Sequence, residues 1–452
     1  NYLFNYLSWS SKGGDRQIVL KALEVINGTI KVFPGMTFEM YVNASTPPYV
    51  VLYGPSLFSV DDIVEPKRGH FVVKFPPFID HGLYEMHVIV YEQDSKGILM
   101  PYAVPGSPFR ALAKTKNIQT SVDLCNDAYS SSQKYGRWIR STEDDQKKGL
   151  STRDGWIWVP FTCRFHMQPI STVSCTDQPI WIVVIGTSTV RGIFFEFLDN
   201  LLSDLDMESL NIKERWKCWG YLDLHVKNFR VSYRDFRFHY SDKKLSPSYR
   251  RHGVDWLHQN ICPVHNSGSS FQAWANTTAD GFNKSVPDVV LAESPEVLRK
   301  QSVGCIEEFE NAGGLFVGIA MKPRDPSLSF QERNAVQSAS FENESRPFID
   351  PFPMARPLYN NGRSDFSGKD IHYAHTGYCF SDGENITHVC SEVLEMEVFM
   401  LLHVLHLHRP SFFITKQCSD TDDQPKGGRG WTVCTQCPHS FGFIDPQGVS
   451  EC

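Results

Sequence analysis

The stretch VVIGTSTVRGIFFEF, residues 183–197, decides how the second half of the chain is read. A β-branched run, Val183 to Ile185, breaks at Gly186 into Thr187, Ser188 and Thr189. Apolar residues then fall at Ile193, Phe194, Phe197, Leu198, Leu201 and Leu202, one face at helical period. The pattern is strand, tight turn, helix, with Ser188 at the carboxyl end of the strand and the amino end of the helix. Open α/β sheets bind ligands at such a joint, and backbone N–H groups with the helix dipole stabilise a developing oxyanion there. Serine and threonine are also ordinary N-cap residues, so position alone leaves both a cap and a nucleophile open.

The same alternation continues on either side. PIWIVVIG (179–186), VPDVVLAES (286–294) and GLFVGIAMK (314–322) read as strands, PEVLRKQSVGCIEEFENAG (295–313) as a helical stretch, and EVLEMEVFMLLHVLHL (392–407) as a terminal helix. Strands alternating with helices argue an α/β domain with a mostly parallel sheet. Residues 15–115 differ: TFEMYVN (37–43), YVVLYG (49–54), HFVVKF (70–75) and LYEMHVIVYE (83–92) alternate or run apolar between Gly and Pro breaks, the pattern of an antiparallel β-sandwich. A polar connector, 130–155, follows, and the Gly-, Asp- and Cys-rich end, 416–452, reads as a disulfide-tied tail. The expected architecture is a β-sandwich over 15–115, an α/β domain over 120–415 and the tail.

The bulk numbers bound the function. At 452 residues the chain exceeds what one core usually organises. Charged residues are 21%, the hydrophobic set is 41%, and the formal net charge is -7, an ordinary globular balance with no global basic field for nucleic acid. The apolar runs around Ile180–Ile185 and Val398–Leu407 are too short to span a bilayer. A chain that opens at Asn1 leaves room for a removed signal peptide or an upstream anchor.

All twelve cysteines lie beyond residue 120: Cys125, Cys163, Cys175, Cys218, Cys262, Cys305, Cys379, Cys390, Cys418, Cys434, Cys437 and Cys452. An even, scattered set fits disulfides in an oxidising compartment better than a zinc site, and the lone CxxC at Cys434–Cys437 has no second pair. Six Asn-x-Ser/Thr sequons begin at Asn27, Asn43, Asn276, Asn283, Asn343 and Asn385. Chance supplies roughly half that many, so the two signals together point to a secreted or lumenal glycoprotein.

Two resemblances follow from the motifs. YAVPGSPFRALA (102–113), after the strand GLYEMHVIVYE (82–92), resembles the last strands of a filamin-type immunoglobulin-like repeat, which implies binding or spacing. CNDAYSSSQKYGRWI (125–139), DGWIWVPFTC (154–163), VVIGTSTVRGIFFEFL (183–198) and SGKDIHYAHTGYCFSDGENITHVCSEVLEMEVFMLL (367–402) together resemble the PC-esterase branch of the SGNH hydrolase superfamily. That branch includes plant trichome-birefringence-like polysaccharide O-acetyltransferases and the animal neurexophilin-and-PC-esterase and cadherin-like-and-PC-esterase proteins. The resemblance implies Ser188 as nucleophile, Arg191 near the acyl site, His388 as general base and a carbohydrate or glycoconjugate substrate, without a cofactor or metal. A serine hydroxyl needs such an imidazole to take its proton, and an acid usually orients the imidazole.

The chain departs from that pattern in three places. Thr187 stands where the family has Asp, and Asn385 stands where the acid before the histidine belongs, leaving Asp370, Asp382 or Glu384 as substitutes. The oxyanion block reads VVLAESPEV (289–297), where Ser294 is the available donor. These departures keep a second reading in play: a catalytically degenerate scaffold that binds a partner, with the β-sandwich as a contact surface. Among the remaining histidines, His403, His406 and His408 on the terminal helix read as satisfied or solvated rather than as a metal site. His372 and His375 read as walls of the site, with a structural role open. Trp138, Trp156 and Trp158 could stack on sugar rings, though burial under the connector is their expected use.

Overall fold

The computed structural model describes residues 5–10, 17–22, 25–26, 28–33, 37–60, 62–93, 95, 99–114, 123–125, 135–152, 155–170, 178–186, 188–201, 221–226, 228–235, 287–293, 306–320, 346–358, 379–381, 385–388, 392–413 and 433–436. They form a β-rich part and an α/β part with a large parallel-stranded sheet.

The β-rich part has two sheets. One is antiparallel, in the order β1 (Asn5–Ser10), β2 (Gln17–Ala22), β5 (Phe38–Asn43), β9 (His70–Phe75), β8 (Ile63–Lys67). The other runs β14 (Trp156–Pro160), β13 (Gly136–Arg140), β7 (Ser56–Val60), β6 (Pro48–Tyr53), β10 (Gly82–Gln93), β12 (Phe109–Ala113), β4 (Thr29–Val32), β3 (Val25–Ile26), with β11 (Leu99–Ala103) also on β10. Four strands stand where the apolar patterns place them: β5, β6, β9 and β10. In β5 and β9 alternate residues are buried, and Met40, Val42, Phe71 and Val73 meet Val50, Leu52 and Phe58 of the other sheet in one core.

Strand β6 is buried on both faces. Val50 and Leu52 join that first core, while Tyr49 and Val51 join a second core with Trp138, Trp158 and the apolar side chains of the α/β part. A strand covered on both sides loses its alternation and reads as a continuous apolar run, as PYVVLY does.

The 130–155 connector contains structure that its polar composition hid. Residues 136–140 and 156–160 form the antiparallel pair β13–β14, and β13 adds it to the sheet beside β7. Between them lies the short helix α1 (Glu143–Lys147), which carries a capping box: Thr142 Oγ1 accepts from the Asp145 N–H, and the Asp145 carboxylate accepts from the Thr142 N–H. Trp138 and Trp158 are buried edge to face, their ring centroids 5.6 Å apart, while Trp156 is half-buried beneath the Arg140 guanidinium. Cys125 and Cys163 form a disulfide beside this hairpin, and both are buried in the second core.

The α/β sheet has the order β20 (Phe348–Ile349), β19 (Leu315–Ile319), β18 (Val289–Glu293), β15 (Ile180–Gly186), β17 (Phe229–Asp235), β16 (Tyr221–Val226), β23 (Val433–Gln436). The five strands from β20 to β17 are mutually parallel, and β16 pairs antiparallel with both β17 and β23. Residues 433–436, inside the expected tail, thus complete one edge of this sheet. Helix α2 (Ser188–Leu201) covers β15 and β17. Helix α4 (Glu392–His408) is buried from Glu392 through Leu405 and packs on α2, β14 and β20. A helix covered on every side for most of its length belongs in a core, and Glu392, Glu395, Glu397 and His403 are buried there with the apolar residues of EVLEMEVFMLLHVL.

The two parts are joined through the segment after β20, helix α3 (Phe352–Ala355) and the turn Arg356–Leu358. Tyr49 Oη donates to the Arg356 carbonyl at 2.5 Å, Arg356 Nη1 donates to the Val60 carbonyl at 3.1 Å, and Trp138 Nε1 donates to the Met354 carbonyl at 2.9 Å. All of these groups are buried, so each lost partner leaves a desolvated polar atom. Replacing Arg356 with Met should cost about 2 kcal/mol, and calorimetry should show a single melting transition moving as a whole rather than one of two transitions.

Candidate functional site at the carboxyl edge of the parallel sheet

The order of the parallel strands positions the site. The first of them in sequence, β15, lies in the middle; the next, β17, lies on one side, and β18, β19 and β20 follow on the other. This is the doubly wound order whose topological switch point falls between the first strand and the third, here β15 and β18. In folds of this strand order the usual ligand site is the crevice at the carboxyl ends of those two strands.

The carboxyl end of β15 is Gly186, and Ser188 is the first residue of α2. The strand is buried along its length, which fits a central parallel strand and the run IWIVVI. The 14-residue helix that follows starts at that strand end, so the positive end of its dipole lies at the carboxyl edge of the sheet.

Gly186 is needed because its surroundings are full. A Cβ there would collide with Val190 of α2 and come within 2.7 Å of Glu293 Cβ and 2.9 Å of Glu293 Oε2. On the other flank Tyr233 Oη donates to the Gly186 carbonyl at 3.2 Å. The backbone entering Ser188 is therefore clamped between a tyrosine from β17 and a glutamate from β18. Glu293 is only 1% exposed, and Arg191, one helical turn after Ser188, is 5% exposed. A second close approach seats α4: a Cβ on Gly192 would stand 2.5 Å from Leu394 Cδ1, so the first turns of α2 lie directly against the start of α4.

The structure thus brings Ser188 and Arg191 together on α2 at the switch point. Asn385 and His388 bound β22 (Asn385–His388), which pairs with β21 (Cys379–Ser381), Cys379 lying opposite His388 and Ser381 opposite Asn385. The side chains of Ser188, Asn385 and His388 fall outside the described part of the structure, as do Thr187, Ser294, Asp370, His372, His375, Asp382 and Glu384. Among the sequons, Asn43 ends β5 with its Oδ1 2.7 Å from His70 Nδ1, whereas Asn27, Asn276, Asn283 and Asn343 fall outside the described residues. Of the cysteines beyond the bonded pair, Cys379 and Cys434 stand on strands; Cys175, Cys218, Cys262, Cys305, Cys390, Cys418, Cys437 and Cys452 fall outside.

Sequence reasoning passed over Glu293 in favour of its neighbour Ser294. Its signal was present: a single acid closing the otherwise apolar strand VVLAE, buried throughout. It stands at the carboxyl edge of the sheet, where open α/β sheets place their ligands.

His403 is satisfied rather than ligating. Fully buried on α4, it accepts at Nδ1 from the His166 N–H at 3.0 Å, so Nε2 carries the proton and donates to the Cys125 carbonyl at 3.1 Å. It ties the terminal helix to the segment beside the disulfide. The His166 and His406 rings stack with centroids 3.9 Å apart. Burial pushes the His403 pKa down to about 4, against the favourable bond to Cys125 and helped by the neighbouring imidazoles of His166 and His406. Among the described residues no group of three or more His, Cys, Asp and Glu side chains could hold a metal ion.

No protein-family model matches the chain, and comparison with curated proteins finds no match. Among the described residues no helix is long and apolar enough to cross a membrane.

Two outcomes follow from this geometry. Gly186→Ala should destabilise by about 2 kcal/mol, read from denaturant midpoints, because neither Val190 nor Glu293 can retreat without strain. His403 is neutral when folded and has its pKa lowered from 6.5 to about 4, so its contribution is complete above about pH 6.5 and drains away as pH falls toward 4. The melting temperature should therefore drop across that window, with about 3 kcal/mol at stake, and His403→Gln should flatten the dependence.

Proposed function

We propose that the α/β part is an SGNH-like, PC-esterase-type acyl-transfer domain acting on O-acyl groups of carbohydrate, in a secreted or lumenal glycoprotein. The observation that carries this reading is the place of Ser188: first residue of a 14-residue helix, directly after the central strand, at the switch point of a doubly wound sheet. Local main-chain geometry there favours negative charge, which is what an attacked ester develops. The resemblance of the serine and histidine blocks to the PC-esterase pattern supports the same assignment.

In this mechanism Ser188 Oγ attacks the acyl carbonyl while His388 takes its proton. The N–H groups at the start of α2 and the Arg191 guanidinium hold the oxyanion. His388 then returns the proton to the departing sugar oxygen. Water accepting the acyl group makes the domain an esterase; a sugar hydroxyl accepting it makes the domain a transferase.

A second reading is supported by Asn385, which puts a neutral amide where an acid would orient His388. On this view the α/β part is a degenerate scaffold, and the face-to-face sheets of the β-rich part serve adhesion or binding.

Incubation of the purified glycoprotein with a fluorophosphonate probe, followed by intact-protein mass measurement, separates the two. The unmutated protein should gain one probe adduct and Ser188→Ala none. A folded, unlabelled wild-type protein selects the scaffold.

A further inference from the structure

Imidazoles hold the carboxyl end of α4, and the way they are bonded makes that grip sensitive to acid. His403 joins two pieces of chain: its Nδ1 accepts from the His166 N–H at 3.0 Å, and its Nε2 donates to the Cys125 carbonyl at 3.1 Å. The two pieces are tied to each other by the Cys125–Cys163 disulfide and by main-chain bonds. The Cys125 N–H donates to the Arg164 carbonyl at 2.9 Å, and the Arg164 N–H donates to the Asp123 carbonyl at 3.0 Å. Residues 123–125 and 163–166 therefore rest on α4 as one unit.

A backbone N–H only donates, so the bond from His166 exists only while His403 Nδ1 carries no proton. A proton there sets donor against donor. Turning the ring over leaves the mismatch, because an imidazolium has two donors and the groups bonded to this ring include one acceptor. The neighbouring rings add to the effect: His166 and His406 stack with centroids 3.9 Å apart and planes 16° apart, so protons on both place two positive charges face to face.

The charges acting on these rings are basic: Arg164 and His406 on His166, His166 and His406 on His403, and Arg409 on His408. The other elements packed on α4 bring the buried Arg191 and Glu196 of α2 and Asp350 after β20, while β14 brings no charged side chain. Within α4, Glu392, Glu395 and Glu397 lie at least six residues before His403, about 9 Å or more along the axis. Burial holds the His166 and His408 rings, like that of His403, below their ordinary pKa.

We propose that His166, His403 and His406 form an acid-operated latch: neutral, they fasten residues 123–125 and 163–170 to the last turns of α4, and protonated, they let that unit lift away while the rest of the fold stands. Residues 163–170 lie in the connection from β14 of the β-rich part to β15 of the α/β part, so the latch loosens the joint between the two. It does not depend on the reading of Ser188.

The test is amide hydrogen–deuterium exchange of the whole protein from about pH 7.5 to about pH 4.5, corrected for the intrinsic pH dependence of exchange and read by mass in peptides covering 163–170, β5 and β9. Protection in 163–170 should fall about 20-fold between about pH 7 and about pH 5, the change given by one group whose pKa is about 4 with the latch closed and 6.5 with it open. Strands β5 and β9, in the other core, should keep theirs. His403→Gln, whose amide accepts from His166 and donates to Cys125 at any pH, should hold the protection constant. His406→Phe, which keeps a stacked ring without a charge, should move the fall to lower pH.

Protection in 163–170 that does not change with pH, or that falls equally in His403→Gln, overturns the proposal. So does a fall shared by β5 and β9, which is global unfolding. Should His403→Gln fail to melt cooperatively at about pH 7.5, His406→Phe decides: a fall at lower pH is expected, and an unmoved one overturns the latch.

Discussion

Strand β6 lies between two cores, and the rest of the molecule is arranged around that fact. Its even-numbered residues Val50 and Leu52 close the core between the two sheets, and its odd-numbered Tyr49 and Val51 face the core of the α/β part. A sheet buried on both sides cannot shed either covering layer without exposing apolar area. The Tyr49 hydroxyl and the Arg356 guanidinium then tie the layers with buried hydrogen bonds. The β-rich part is therefore half of a shared interior rather than a module on a linker.

Helix α4 does the corresponding work on the α/β side. It touches α2 through the Gly192 gap, borders β20, and meets the hairpin strand β14. His403 fastens it to the Cys125–Cys163 region by two hydrogen bonds that use both ring nitrogens. The helix carries little amphipathic character because it has no solvent side for most of its length. Since α2 rests against α4, the placement of Ser188 depends on the packing of a helix two hundred residues later in the chain, as well as on its own strand.

The amino terminus of α2 favours negative charge, and Arg191 in its first turn and Glu293 beside the preceding strand end are both buried. The clamp on Gly186 by Tyr233 and Glu293 makes this arrangement stiff, because the strand end cannot move without breaking a hydrogen bond or a close packing contact.

Local patterns in the sequence determined the elements themselves. The alternation in β5 and β9, the apolar runs of β15, β18 and β19, and the helical period after Ser188 all survive in the structure, because side-chain periodicity reflects local backbone geometry. The β13–β14 hairpin and strand β23 escaped notice, since polar or Cys-rich surroundings diluted short strands whose partners lie far away in the chain. Ser188 was legible at a strand–helix joint. Its neighbours were not: that β18 rather than β17 holds the switch point, that residue 293 lies beside residue 186, and that Arg356 reaches Tyr49 depend on strand order and layer packing. Those features come from which buried faces cover one another, a choice made by non-local contacts that no stretch of sequence encodes alone.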